Sequence, residues 1–195
     1  MVSPPSPPFY PHDGRLSRVS TATPGPGPRS GKLATVLTID SAIVEAIVAH
    51  ARRDHPDEAC GVVAGPAGSD LPTRHIPMVN AARSMTFYEF DSMEHLRVWR
   101  EMDDRDEEPV VIYHSHTATE AYPSRTDISF AGEPGAHYVL VSTRDDERAE
   151  FRSFRIVDGV VTEEPVTVVG ATVDPVQSYM FGQSPATVDY ECSGS

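Results

Sequence analysis

The chain has 195 residues, 39% of them hydrophobic, with a formal net charge of −13 and a pI near 4.9. That length supports one core of roughly 130 to 140 residues with tails. The acidic balance argues against nucleic acid or an anionic membrane as partner, since both select basic surfaces.

Residues 1–31 place Pro4, Pro5, Pro7, Pro8, Pro11, Pro24, Pro26 and Pro28 among Ser, Gly and Thr. Such a composition repeats neither a helical nor a strand period, and it reads as a disordered tail. The start, Met1-Val2-Ser3-Pro4, lacks the basic and then apolar pattern of a secretion signal, and no stretch approaches the roughly 18 to 20 apolar residues of a membrane span. The expectation is a cytoplasmic protein with a single domain over residues 32–169.

Residues 34–39 alternate as a strand, and Asp40 or Ser41 caps a helix over 41–53 in which Ile43, Val44, Ile47 and Val48 recur at helical spacing. Further strands are expected at 59–65, about 74–80 and about 86–90. A helix follows from Asp91 or Ser92 to about Asp104, with Met93, Leu96, Val98, Trp99 and Met102 as its apolar positions and Trp99 in the core. The acidic run 103–108 reads as a solvated helix end and turn. The apolar run Val110-Val111-Ile112-Tyr113 makes the next strand, a helix opens at Ser124, and strands follow at 137–142 and 151–157. Asp158-Gly159 then signals a hairpin into Val160-Val161-Thr162. The result is an α/β (α+β) domain with a curved, mixed sheet flanked by helices. Residues 170–195 lose periodicity and read as a poorly structured tail, although Tyr179-Met180-Phe181 is apolar enough to dock.

The chemistry concentrates after the run at 110–113. His114 and His116 flank Ser115, and Ser124 and Asp127 follow. In an extended segment, side chains two apart share a face at about 6 to 7 Å, so both imidazoles can reach one metal while Ser115 points away into packing. Imidazole and carboxylate suit zinc, whose catalytic sites use three protein ligands and keep one position for water; His114, His116 and Asp127 would supply three. The stretch Ser124-Arg125-Thr126-Asp127 has a second reading as a capping box. Glu58, ahead of the strand at 59–65, is by local context a solvated loop residue. Cys60 projects to the same side as Glu58 and reads as a small buried hydrophobe; with Cys192 it makes no disulfide framework. His50, His55, His75, His95 and His137 lack ligand spacing and read as surface or satisfied core.

Glu58 followed by Ala59-Cys60-Gly61-Val62, and the distant block His114-x-His116 through Ser124 to Asp127, resemble the signature of the JAMM (MPN-domain) zinc metallopeptidases, with every position filled. Over about residues 34–169, stretches 49–61 and 110–127 look like the small bacterial members that release cysteine from a ubiquitin-like sulfur carrier protein. The resemblance implies the JAMM/MPN fold and one Zn²⁺ per chain on His114, His116 and Asp127. It further implies Glu58 as proton shuttle, Ser124 as a hydroxyl stabilising the oxyanion, and a carrier partner whose Gly-Gly tail bears a C-terminal cysteine. Thr119, Glu120 and Tyr122, in the loop between, are candidates for contacting the leaving amino acid. Two alternatives share the fold: an isopeptidase acting on a modifier joined to lysine, and a metal-free interaction scaffold.

Overall fold

The computed structural model describes residues 36–170. The elements are β1 (Leu37–Asp40), α1 (Ser41–Asp54), β2 (Cys60–Pro66), β3 (Arg74–Met78), α2 (Ser92–Asp104), β4 (Glu107–His116), α3 (Arg125–Phe130), β5 (His137–Ser142), β6 (Glu150–Val157), β7 (Val160–Glu164) and β8 (Val166–Val169). Six strands form one mixed sheet in the order β3-β2-β4-β5-β6-β7, with only β4 and β5 parallel; β1 and β8 pair in parallel as a separate ribbon. The tails expected at residues 1–31 and beyond Gly170, with Tyr179, Phe181 and Cys192, lie outside the described residues, as does the beginning of the strand expected at 34–39.

Strand β4 runs through the middle of the sheet and is covered on both faces, so it carries a continuous apolar run. Val111 and Tyr113 join Val44, Ile47 and Ala51 of α1 in one core layer, while Ile112 joins Leu140, Phe154 and Ile156 on the opposite face. A third cluster packs Val98 and Met102 of α2 on Val62, Ala64 and Met78. By period-two alternation His114 and His116 continue the Ile112 face. Gly61 is required where it stands: a Cβ there would lie 2.5 Å from Tyr113 Oη and 2.6 Å from the Ile76 carbonyl oxygen. Helix α1 begins as expected, with the Asp40 carboxylate accepting the Ala42 N–H at 2.8 Å. The hairpin turn at Asp158-Gly159 takes positive φ at both positions, 51° and 76°, and joins β6 to β7.

Three expectations are corrected. Residues 86–90 form no strand; they make a single bridge, Asn80 to Phe90, because the buried Asn80 amide occupies the backbone groups a ladder would use. Met93 and Leu96 are exposed, since only the Val98 and Met102 edge of α2 meets the sheet and Trp99 packs partly buried beside it. In the acidic run, Glu107 and Glu108 open β4, and Glu107 accepts from the Arg74 guanidinium at 2.5 and 3.0 Å.

Beneath α1, the Tyr113 hydroxyl lies 2.7 Å from His50 Nδ1 and 2.8 Å from His75 Nε2. Burial lowers both imidazoles, His75 to about 4 with the His50 charge adding to the effect. A histidine whose folded pKa lies below its ordinary 6.5 leaves the unfolded chain with more bound protons in acid. Its stability is complete above pH 6.5 and is lost as pH falls from there to about 4. Chemical denaturation of the metal-free protein at pH 7 and pH 5 is expected to show a smaller acid loss in His75→Phe than in wild type; identical losses would refute this account of the cluster.

A candidate metal centre at the end of β4

His114 and His116 stand at the C-terminal end of β4, still paired with β5 and both buried. His114 stacks on Tyr88, ring centroids 4.4 Å apart and planes within 24°. The His116 ring is set by Nδ1, which donates to the Glu120 carbonyl at 2.9 Å with Thr119 Oγ1 at 3.1 Å. That bond places the proton on Nδ1 and leaves the Nε2 lone pair facing the site. The Glu120 main-chain carbonyl and the Thr119 hydroxyl therefore hold this ring in place, while the Glu120 carboxylate itself is exposed. Tyr122 instead packs edge-on against Phe154 with Arg152 over its ring.

Asp127 arrives from the first turn of α3. The capping box is complete: Asp127 N–H donates to Ser124 Oγ at 3.2 Å and Ser124 N–H donates to Asp127 Oδ2 at 2.7 Å. The same Oδ2 lies 3.4 Å from His114 Nε2 and 3.5 Å from His116 Nε2, and the two Nε2 atoms are 3.2 Å apart. Ligands bound to zinc at about 2.0 to 2.2 Å on three corners of a tetrahedron stand roughly 3.3 to 3.6 Å from one another. The three atoms thus outline the face of such a site, and the donor set fits zinc. Among the described residues it is the group of His, Cys, Asp and Glu side chains converging in this way. Burial opposes ionisation of Asp127, but the two imidazoles beside it outweigh it and hold the carboxyl well below its usual range. Burial lowers His114.

Glu58 stands just ahead of β2 and is buried, not solvated. Its N–H donates to the Ser84 carbonyl at 2.8 Å, and its carbonyl accepts from Asn80 Nδ2 at 2.9 Å. Burial raises its carboxyl to about 7; His116 pulls against that rise and Asp127 adds to it, so Glu58 feels both candidate ligands. The next residue, Ala59, is clipped to β4 between the two histidines: its N–H donates to Ser115 Oγ at 2.8 Å and its carbonyl accepts the Ser115 N–H at 2.9 Å. Ser115 faces away from the cluster, as its position between the histidines implies. Cys60 is fully buried, its thiol pushed up to about 12 chiefly by desolvation, and it behaves as a small hydrophobe. His137 is a satisfied core residue, with Nδ1 2.5 Å from Glu164 Oε1.

Sequence reasoning missed Asn80 and Tyr88. The Asn80 side chain donates to the carbonyls of Glu58 and Phe87 and accepts from the N–H groups of Ala82 and Glu89, knotting the 80–90 segment across the site. No local pattern marks that role. On the Asp127 side a cavity of about 490 Å³ is walled by Tyr88, Phe90, Trp99 and Phe130; on the Glu58 side a polar one of about 380 Å³ includes Arg53, Asp57 and Arg83. Among the described residues no helix is long and apolar enough to cross a membrane.

Comparison with known proteins agrees with the geometry. The chain is 74% identical over 134 residues to the CysO-cysteine peptidases of Mycobacterium tuberculosis and Mycobacterium bovis, covering 69% of this chain and 92% of theirs. It is 34% identical over 103 residues to the desampylase of Haloferax volcanii, covering 50% of this chain and 74% of that protein. A solution structure of a protein from Desulfitobacterium hafniense superposes with a TM-score of 0.60 at 30% identity, covering 68% of this chain and 92% of that one. The profile for prokaryotic homologs of the JAB domain matches residues 40–157, and the chain belongs to that family.

Proposed function

We propose that this chain is a zinc-dependent peptidase that hydrolyses the bond between the C-terminal glycine of a ubiquitin-like sulfur carrier and an appended cysteine, releasing free cysteine. The observation that carries the reading is the 74% identity to CysO-cysteine peptidases over 92% of their length. A cluster complete in His114, His116, Asp127 and Glu58 supports catalysis over a scaffold role.

His114, His116 and Asp127 would hold a divalent ion, which when bound would supply Lewis acidity, lowering the pKa of a water from 15.7 toward about 7 and polarising the scissile carbonyl. The remaining work falls to the protein. Glu58, with a carboxyl near 7, accepts a proton from the attacking water and passes it to the departing amine; the second water proton then leaves the new carboxylic acid for that amine, so that glycine carboxylate and the cysteine ammonium are the products. Ser124 Oγ accepts the Asp127 N–H and keeps its own proton to donate toward the carbonyl oxygen as negative charge develops. The Glu120 carbonyl keeps His116 in the tautomer a metal needs.

The desampylase similarity favours a second reading, an isopeptidase acting on lysine-linked modifier. Intact-mass assays on carrier–cysteine and on the same carrier linked to lysine Nε separate the two. The expected outcome is release from carrier–cysteine with little or none from the isopeptide; equal rates would remove the claimed specificity.

A further inference from the structure

The cavity on the Glu58 side contains more charge than the proton shuttle requires. Of its two arginines, Arg53 is committed: its Nε donates to Asp54 Oδ1 at 3.0 Å, while Asp54 Oδ2 lies 3.0 Å from His50 Nε2. Arg83 makes no ion pair among the described residues. It sits at φ 44°, a left-handed conformation uncommon for a residue with a side chain, and its N–H is tied to the Asn80 carbonyl at 3.2 Å. The next carbonyl along, that of Ser84, accepts the Glu58 N–H. The backbones carrying the guanidinium of Arg83 and the carboxyl of Glu58 are therefore clipped together, and both residues wall the same cavity.

We propose that Arg83 binds the α-carboxylate of the amino acid being released, and that this contact selects a C-terminal residue over a lysine side chain. The inference rests on the peptidase reading above. In a carrier–amino acid adduct the scissile nitrogen and the free carboxylate share one Cα, with the carboxyl carbon only about 2.5 Å from the nitrogen. A proton delivered by Glu58 to that nitrogen places the carboxylate close to Glu58, which walls this cavity together with Arg83. Asp57 and Glu58 make the wall acidic, so a substrate carboxylate needs a cation there that is not already neutralised, and a guanidinium meets a carboxylate with two parallel hydrogen bonds. A lysine isopeptide presents no such group: four methylenes separate its leaving nitrogen from the lysine backbone.

The test compares the carrier–cysteine adduct with the same adduct ending in cysteinamide, for wild type, Arg83→Gln and Arg83→Lys. Wild type is expected to favour the acid by about 10- to 100-fold in kcat/KM, carried mainly by KM. Arg83→Gln loses that factor on the acid, changes little on the amide and so shows almost no preference; Arg83→Lys recovers part of it. A residue that only shaped the loop would slow both substrates alike. Equal rates for the two substrates with wild type, or an undiminished preference in Arg83→Gln, would overturn the proposal. No release by wild type from either adduct would instead overturn the peptidase reading, and this inference with it. If Arg83→Gln proves misfolded by circular dichroism, the wild-type comparison and Arg83→Lys decide.

Discussion

Glu58→Gln protein is expected to bind zinc at the wild-type stoichiometry while its kcat for cysteine release falls by about 10²- to 10⁴-fold, the usual contribution of a positioned acid–base group. Glutamine keeps the shape of the side chain and the backbone bonds to Ser84 and Asn80, so the loop stays knotted. What disappears is the group able to take and return a proton. The variant also separates catalysis from folding. Burial raises the Glu58 carboxyl from 4.5 to about 7, so in the metal-free protein its ionisation costs stability as pH rises through 7. The amide carries no such cost, and metal-free Glu58→Gln should be at least as stable as wild type at pH 8. Metal content by elemental analysis, single-turnover release and chemical denaturation read the three quantities; wild-type turnover in a zinc-loaded variant would remove Glu58 from the mechanism.

His116→Ala is expected to lose both zinc and turnover. The three atoms that outline the site are mutually 3.2, 3.4 and 3.5 Å apart, and deleting one leaves two protein ligands where a catalytic zinc uses three. Wild-type protein stripped by a chelator should likewise be inactive and should recover on adding one equivalent of zinc. His116→Ala should not recover at any comparable concentration. Retained activity in the stripped wild type would show that the bond is cleaved without the metal.

Much of this site was legible because it is built from short-range patterns. The face shared by His114 and His116 follows from strand alternation, and the Ser124 to Asp127 spacing encodes a capping box whose carboxylate also faces the imidazoles. The two readings of that tetrad turn out to be compatible, because one Oδ2 serves the Ser124 N–H and points at both rings. Glu58 looked like a solvated loop residue since its burial comes from the 80–90 segment, distant in sequence. That segment reads as a strand for the same reason: Phe87, Tyr88 and Phe90 have strand-like composition, but a buried amide at Asn80 replaces the ladder and frees the aromatics to line the cavity and stack on His114. The short β8 strand was missed because its partner, β1, is at the other end of the domain. Exposure of Met93 and Leu96 depends on which edge of α2 meets the sheet, which helical spacing alone does not fix.

The most direct test is anomalous X-ray diffraction at the zinc edge from crystals of the zinc-loaded protein. One strong peak is expected, within bonding distance of His114 Nε2, His116 Nε2 and Asp127 Oδ2, with the Glu58 carboxylate outside the coordination sphere and facing its open position. A map without a peak at those three atoms after supplementation, or with Glu58 itself as a ligand, would contradict the account.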